Sequence, residues 1–252
     1  MKYQFKYQSW MSPVIVLVVW QIVASAGLVE TRFFPAPSAI FAKFTDMVTT
    51  AQFWIDLKIS VVRLLVGFAI GAIPGAAIGL LMGLSPLAER VVSPLISMLY
   101  PLPKIALLPL IMLIFGLSEA SKYAIVAIGV FFIMAINTYG GVQNINKIYF
   151  DVAKNLKVPG WKVYLTVALP GALPGIFTGL RLATGVALIL LVSAEFVGAS
   201  EGIGYRIWWS WTVFWVEQMY VGLVIIALLG FGFASLVGVC ERTFLPWRRG
   251  GR

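Results

Sequence analysis

Six apolar runs, at roughly residues 11–29, 60–83, 90–117, 122–142, 171–198 and 218–240, constrain this chain more than any other feature. A helix that crosses a bilayer needs about 20 predominantly apolar residues, because it must span about 30 Å while satisfying its own backbone hydrogen bonds. Each run is close to that length or beyond it. The composition agrees, with 60% of residues hydrophobic and only 12% charged, against about 25% charged in a soluble domain. A water-soluble fold has too little interior to hide that much apolar surface, so lipid is the solvent for most of it. The expected fold class is all-α: a polytopic membrane protein of about six transmembrane helices, with residues 1–252 as one transmembrane domain.

Two runs need separate treatment. The third holds Pro101, Pro103 and Pro109; each removes a backbone donor, so a kinked or partly unwound segment is expected there. Such backbone is tolerated at membrane depth only against protein or a water-filled cavity. The first run follows Lys2 and Lys6 and ends near Ala24-Ser25-Ala26, a pattern shared with signal peptides. It is read here as a retained spanning helix.

Charge sets the orientation. With the N-terminus inside, residues 1–10, 84–90, 143–170 and the tail from Glu241 hold eleven of the 19 Lys and Arg, and the outer segments hold five. That asymmetry follows the positive-inside rule, and an even number of spans returns the C-terminus to the cytoplasm. The net charge of +9 is spread over short segments between apolar runs, which argues for membrane orientation and against nucleic acid.

Several chemistries are excluded. The chain has no histidine and one cysteine, Cys240, so the commonest general base is missing and no metal site is expected. No G-x-x-x-x-G-K-[ST] loop occurs, so ATP is not bound by that route. No cofactor is expected in this chain, and energy must come from a partner or an ion gradient.

Four constellations stand out. Gly67, Gly71, Gly75, Gly79 and Gly83 recur at every fourth position, lining one helix face where another helix can approach closely. Tight packing, within the subunit or between subunits, is favoured over pore lining. Arg63, Lys104, Arg181 and Glu195 lie within spans, where ionisable groups are costly and face a bundle interior or an aqueous path. Arg63 sits near an edge, where snorkelling accounts for it. Lys104, Arg181 and Glu195 have either a pathway role or a place in an interhelical ion pair. Trp208, Trp209, Trp211, Phe214 and Trp215 crowd one outer loop, read as an interfacial belt ahead of a docking surface. The longest inner loop, 143–170, carries Asp151-Val152-Ala153-Lys154-Asn155-Leu156, then Pro159-Gly160 and Ala168-Leu169-Pro170. A short amphipathic helix outside the membrane suits docking of a cytoplasmic protein.

That loop resembles the coupling motif of ABC-importer permeases, in which Glu-Ala-Ala opens a short helix and Leu-Pro closes the loop. Asp151 takes the Glu position, Ala153 the second Ala and Pro170 the closing Pro, while Val152 replaces the first Ala and Lys157 a usual Gly. Four further stretches, Phe34–Ser38, Pro101–Leu110, Leu173–Arg181 and Ala194–Tyr205, are similar to nitrate/sulfonate/taurine-type permeases. The resemblance implies a type I ABC-importer permease with both termini cytoplasmic, located in the inner (plasma) membrane. It implies a second, identical permease subunit, two cytoplasmic ATPase subunits carrying ATP and Mg, and an external substrate-binding protein. Asp151, Ala153, Lys154, Leu156, Gly160 and Pro170 would couple to the ATPase; Lys104, Arg181 and Glu195 would line the path of a small anionic or zwitterionic solute. A self-contained secondary transporter or channel is the alternative, but it leaves the projecting loop without a purpose. A membrane enzyme would need converging acids, bases or metal ligands that the spans do not offer.

Overall fold

The computed structural model describes residues 4–246, with side chains from Met11 onward. Lys2, Arg248, Arg249 and Arg252, and the side chain of Lys6, therefore lie outside the described residues. The helices are α1 (Gln4–Ser25), α2 (Pro37–Val48), α3 (Ala51–Leu84), α4 (Pro86–Leu99), α5 (Leu108–Phe115), α6 (Glu119–Gln143), α7 (Lys147–Asn155), α8 (Gly160–Val163), α9 (Leu169–Gly198), α10 (Ile203–Thr212) and α11 (Val216–Phe244).

Among the described residues, four helical stretches are long and apolar enough to cross a membrane: α3, α6, Gly160–Gly198 and α11. The expected third span is two pieces, α4 and Lys104–Phe115, which meet at an 89° bend. The prolines explain it. Pro101 and Pro103 sit in the break, while Pro109 falls in the first turn of α5, where a missing N–H costs nothing. The apolar part of α1, Met11–Ser25, is shorter than a full span. The element that departs most from its apolar run is α3, which starts at Ala51 rather than near 60. Its first turns carry Gln52, Asp56 and Lys58, which hydropathy excludes from a span.

The core is a layer of three helices with α6 in the middle. α3 runs parallel to α6, since Gly67 faces Val126 and Gly83 faces Val142. α9 runs antiparallel on the other side, since Gly141 faces Ala172 while Gly129 faces Leu190. The five glycines of α3 all abut α6. A Cβ at Gly75 would lie 2.6 Å from the carbonyl oxygen of Phe131, and one at Gly79 2.5 Å from that of Ala135. The two backbones are thus in direct contact, which raises dispersion energy where lipid supplies no hydrophobic drive. Leu64, Val126, Val130, Met134, Leu190 and Leu191 fill the space beside the seam.

At the end of this layer where α3 and α6 begin and α9 ends lies a buried charge network. Arg63 is 4% exposed. It donates twice to Glu119, both at 2.6 Å, once to Glu195 at 2.9 Å, and once to the carbonyl of Glu201 at 2.7 Å. Glu195 is wholly buried and also accepts from Ser60 and from the Gly204 N–H, each at 2.8 Å. Asp56 accepts from the Gly202 N–H at 2.9 Å and from two nitrogens of Arg206. Lys122, also buried, donates to the carbonyls of Leu117 and Ser118. The expectation that Arg63 snorkels is therefore corrected: with α3 starting at Ala51, Arg63 lies a dozen residues inside the helix and its head is clamped by carboxylates. Gly202 has φ +118°, and a Cβ there would meet Glu195 Oε1 at 2.5 Å, so both conformation and space demand glycine.

α10 follows the network and packs on α11. Its Ile207 and Ser210 are buried, and Trp208 and Trp211 are exposed with ring centroids 4.8 Å apart.

Two outcomes follow from this packing. Gly75→Ala should cost about 1–3 kcal/mol through overpacking against a backbone atom, read as a lowered melting midpoint in detergent. Gly140→Ala, whose Cβ would meet nothing within 4 Å, should leave the midpoint unchanged or raise it. Arg63→Met strands the buried Glu195 and should cost about 3–5 kcal/mol, with faster hydrogen exchange across residues 199–206. The same change at Lys58, exposed on the same helix, should do neither.

Candidate functional site

At the end of the layer opposite the charge network, α6 hands over to the α7–α8 loop. The Asn146 side chain caps α7, accepting from the Ile148 N–H at 3.0 Å. α7 ends in a double closure: the Val158 N–H bonds the Ala153 carbonyl at 2.9 Å and the Lys157 N–H bonds the Lys154 carbonyl at 3.0 Å. This is the Schellman arrangement, which needs a left-handed residue between cap and exit. Lys157 is that residue, at φ +51°, which explains why a glycine suits its position. Pro159 then starts the chain on α8.

Among the expected coupling residues the structure separates two environments. Ala153 is buried, at 7% exposure, and seats α7 on its own chain. Asp151, Lys154 and Leu156 are exposed, Leu156 at 72%. A Cβ at Gly160 would meet nothing. Beside them stand exposed Tyr149, Val152 and Trp161, which make the loop an apolar knob edged with lysines. Those three are absent from the sequence-based set. For Tyr149 and Val152 the signal is their helical spacing with Leu156, the C-cap residue of α7; Trp161 lies on α8 and carries no such pattern. Pro170 lies in the first turn of α9, just after a π-helical stretch, Tyr164–Ala168. There the Leu169 N–H reaches back five residues to Tyr164, a bulge of the kind that accommodates a missing donor and recurs at functional positions.

The structure does not bring Lys104, Arg181 and Glu195 together. Glu195 belongs to the charge network. Arg181 pairs with Glu241 of α11. The Lys104 ammonium donates to the carbonyls of Leu99 at 3.1 Å, Leu102 at 2.9 Å and Tyr100, and stands 4.8 Å from the centre of the Phe132 ring. It thereby caps the C-terminal turn of α4 at the 89° bend. All three charges have partners within the chain. Asp56 and Ser60, missed on the network side, share one face of α3 with Arg63 at helical spacing, a pattern visible once α3 is known to begin early.

Comparison with known proteins gives this geometry its context. Residues 75–245 match the family model described as "Binding-protein-dependent transport system inner membrane component". The chain is similar to the "Putative aliphatic sulfonates transport permease protein SsuC" of Bacillus subtilis (strain 168), 34% identical over 96% of this chain and 90% of the relative. It is also similar to the "Taurine transport system permease protein TauC" of Escherichia coli (strain K12), 29% identical over 92% and 86% of the two chains. The "Nitrate import permease protein NrtB" of Leptolyngbya laminosa is 30% identical over 92% and 85%. Among solved structures, an inward-facing form of the MetNI methionine ABC transporter shares the fold, with TM-score 0.65, 18% identity, and coverage of 76% of this chain and 96% of that one. The match spans more than half of the chain and includes α6, the α7–α8 loop, α9 and α11, so the chain belongs to the family of inner membrane components of binding-protein-dependent transport systems.

Proposed function

We propose that two copies of this chain form the transmembrane pathway of an ATP-driven importer in the inner (plasma) membrane. The solute is a small anion or zwitterion of the sulfonate, taurine, nitrate or bicarbonate class, delivered by an external binding protein. Two cytoplasmic ATPase subunits dock on the α7–α8 loops, and ATP with Mg sits on them, not on this chain. Both termini lie in the cytoplasm, and α1, α3, the bent α4–α5 pair, α6, α9 and α11 make six crossings of alternating direction.

The α7–α8 knob carries this reading. A chain whose solvent is lipid has no reason to hold Tyr149, Val152, Leu156 and Trp161 in water unless a protein covers them. The relatives' names support the solute class, and the charge asymmetry supports placing the knob in the cytoplasm. Mechanically, closure of an ATPase dimer would draw the two knobs together. Each knob continues from α6 on one side and into α9 on the other, so its displacement moves the three-helix layer as a body.

The test is to purify the tagged chain in mild detergent and identify what accompanies it. A soluble ATPase in stoichiometric amount is expected; recovery of this chain alone, moving solute when reconstituted by itself, would overturn the reading. Leu156→Asp should keep the wild-type melting midpoint while losing the ATPase and uptake. Lys157→Gly should retain both and stabilise α7, whereas Lys157→Val, β-branched at positive φ, should weaken ATPase association.

A further inference from the structure

With Lys104, Arg181 and Glu195 all committed to partners in the chain, the polar surface left over at membrane depth lies elsewhere. It is a concavity of about 450 Å³ on the seam between α6 and α9, lined by Asn137, Gly140, Asn144, Pro174 and Thr178. It shares Asn144 and Gly171 with a second concavity of about 530 Å³ that reaches Tyr149 of α7. The two make one groove running from within the α6–α9 layer to the docking loop. No residue lining either part is charged.

Three observations oppose a lipid or packing role. Asn137 lies six residues inside α6, about 9 Å from its end at helical rise. The Asn137 amide and the Thr178 hydroxyl, facing hydrocarbon, would each lose hydrogen bonds that lipid cannot replace. The Asn137 amide donates one N–H to the Ile133 carbonyl at 2.8 Å and keeps its second N–H to give, while the Thr178 hydroxyl donates its only proton to the Pro174 carbonyl at 2.8 Å. Asn144 lines both halves of the groove and has no side-chain hydrogen bond among the described residues. Gly140 sharpens the case. Its neighbour Gly141 is needed for packing, since a Cβ there would meet the Ala172 carbonyl at 2.9 Å, but a Cβ at Gly140 would meet nothing within 4 Å. A glycine inside a helix with open space over it destabilises that helix without serving the fold.

We propose that this uncharged groove is the wall along which the solute passes to the cytoplasm, Gly140 keeping it clear and the side-chain N–H groups of Asn137 and Asn144 meeting the solute's oxygens. The proposal rests on the importer reading and deepens it by naming the surface and its chemistry. The solute it fits is a small molecule carrying several oxygen atoms, of sulfonate or other oxyanion type, met by the two N–H donors of Asn144. Neutral donors hold such a group loosely, and a conducting path needs sites favourable enough to enter and weak enough to leave. A fixed cation would trap the same anion.

The test is single-cysteine labelling in open native-membrane vesicles. Cys240→Ser removes the only cysteine, and Asn137→Cys, Gly140→Cys and Thr178→Cys are introduced one at a time. Leu228→Cys and Leu236→Cys, on the exposed apolar face of α11, are the lipid controls. A charged, membrane-impermeant methanethiosulfonate reacts with thiolate in water, so the groove positions should label at least about tenfold faster than the controls. Labelling no faster than the controls would overturn the proposal. Gly140→Leu should reach the membrane at the wild-type level yet lose most uptake, and uptake at the wild-type rate would equally overturn it. Labelling is read on the chain itself and does not depend on recovering an ATPase, so this result and the importer reading can fail separately.

Discussion

The close approach of α3 to α6 is the contact on which the other features depend. In lipid there is no hydrophobic gain from bringing two apolar helices together, so association rests on packing area and on polar groups that find partners only when the helices meet. Gly67, Gly71, Gly75, Gly79 and Gly83 let α3 lie on the carbonyls and Cβ atoms of α6 along five turns. Bulkier residues at these places would separate the backbones and pull Arg63 away from Glu119. The network and the glycine seam therefore fix each other: the seam sets the distance between helices, and the ion pairs fix their register.

Placing the charges in that network has a cost that the structure offsets locally. Glu195, Arg63, Asp56 and Lys122 are all nearly or wholly buried, and a buried charge is tolerable only with several hydrogen bonds to it. Each has them, and many come from backbone groups freed where helices end: the Gly202 and Gly204 N–H groups, and the carbonyls of Leu117, Ser118 and Glu201. Lys104 follows the same logic at the α4 break. The charges of this network, and Lys104, thus serve helix ends and breaks, which is where a membrane fold has unsatisfied backbone.

The sequence makes part of this legible. Apolar run lengths locate the four long apolar helices and the broken pair, the proline cluster locates the bend near Pro101–Pro103, and the i, i+4 glycines identify the face of α3 that another helix covers. The start of α3 is not legible from hydropathy, because Gln52, Asp56 and Lys58 look like loop residues until Arg206 and Gly202 are known to meet Asp56. The fate of Glu195 is equally hidden, since its partners lie on α3 and in the turn after α9, 135 residues away in the case of Ser60. In the loop, Lys157 in place of glycine is visible as an oddity, and only the backbone shows that the position needs a positive φ. The division of Ala153 from Leu156, one seated and one exposed, depends on how α7 lies against its own chain.

One end of the α3–α6–α9 layer is tied by a buried network of ion pairs, and the rest by close backbone contact, down to Gly141 and Gly175 at the loop end; beyond that contact the chain turns through α7, the π-helical stretch and two prolines, Pro170 and Pro174, of α9. Helices bend where donors are missing. Under the proposed docking of an ATPase, a pull on the α7–α8 knob would reach the layer through that junction and would change the width of the space beside the α6–α9 seam. The proposed groove at that seam has no charged lining residue, so such a movement would open and close it with little electrostatic resistance.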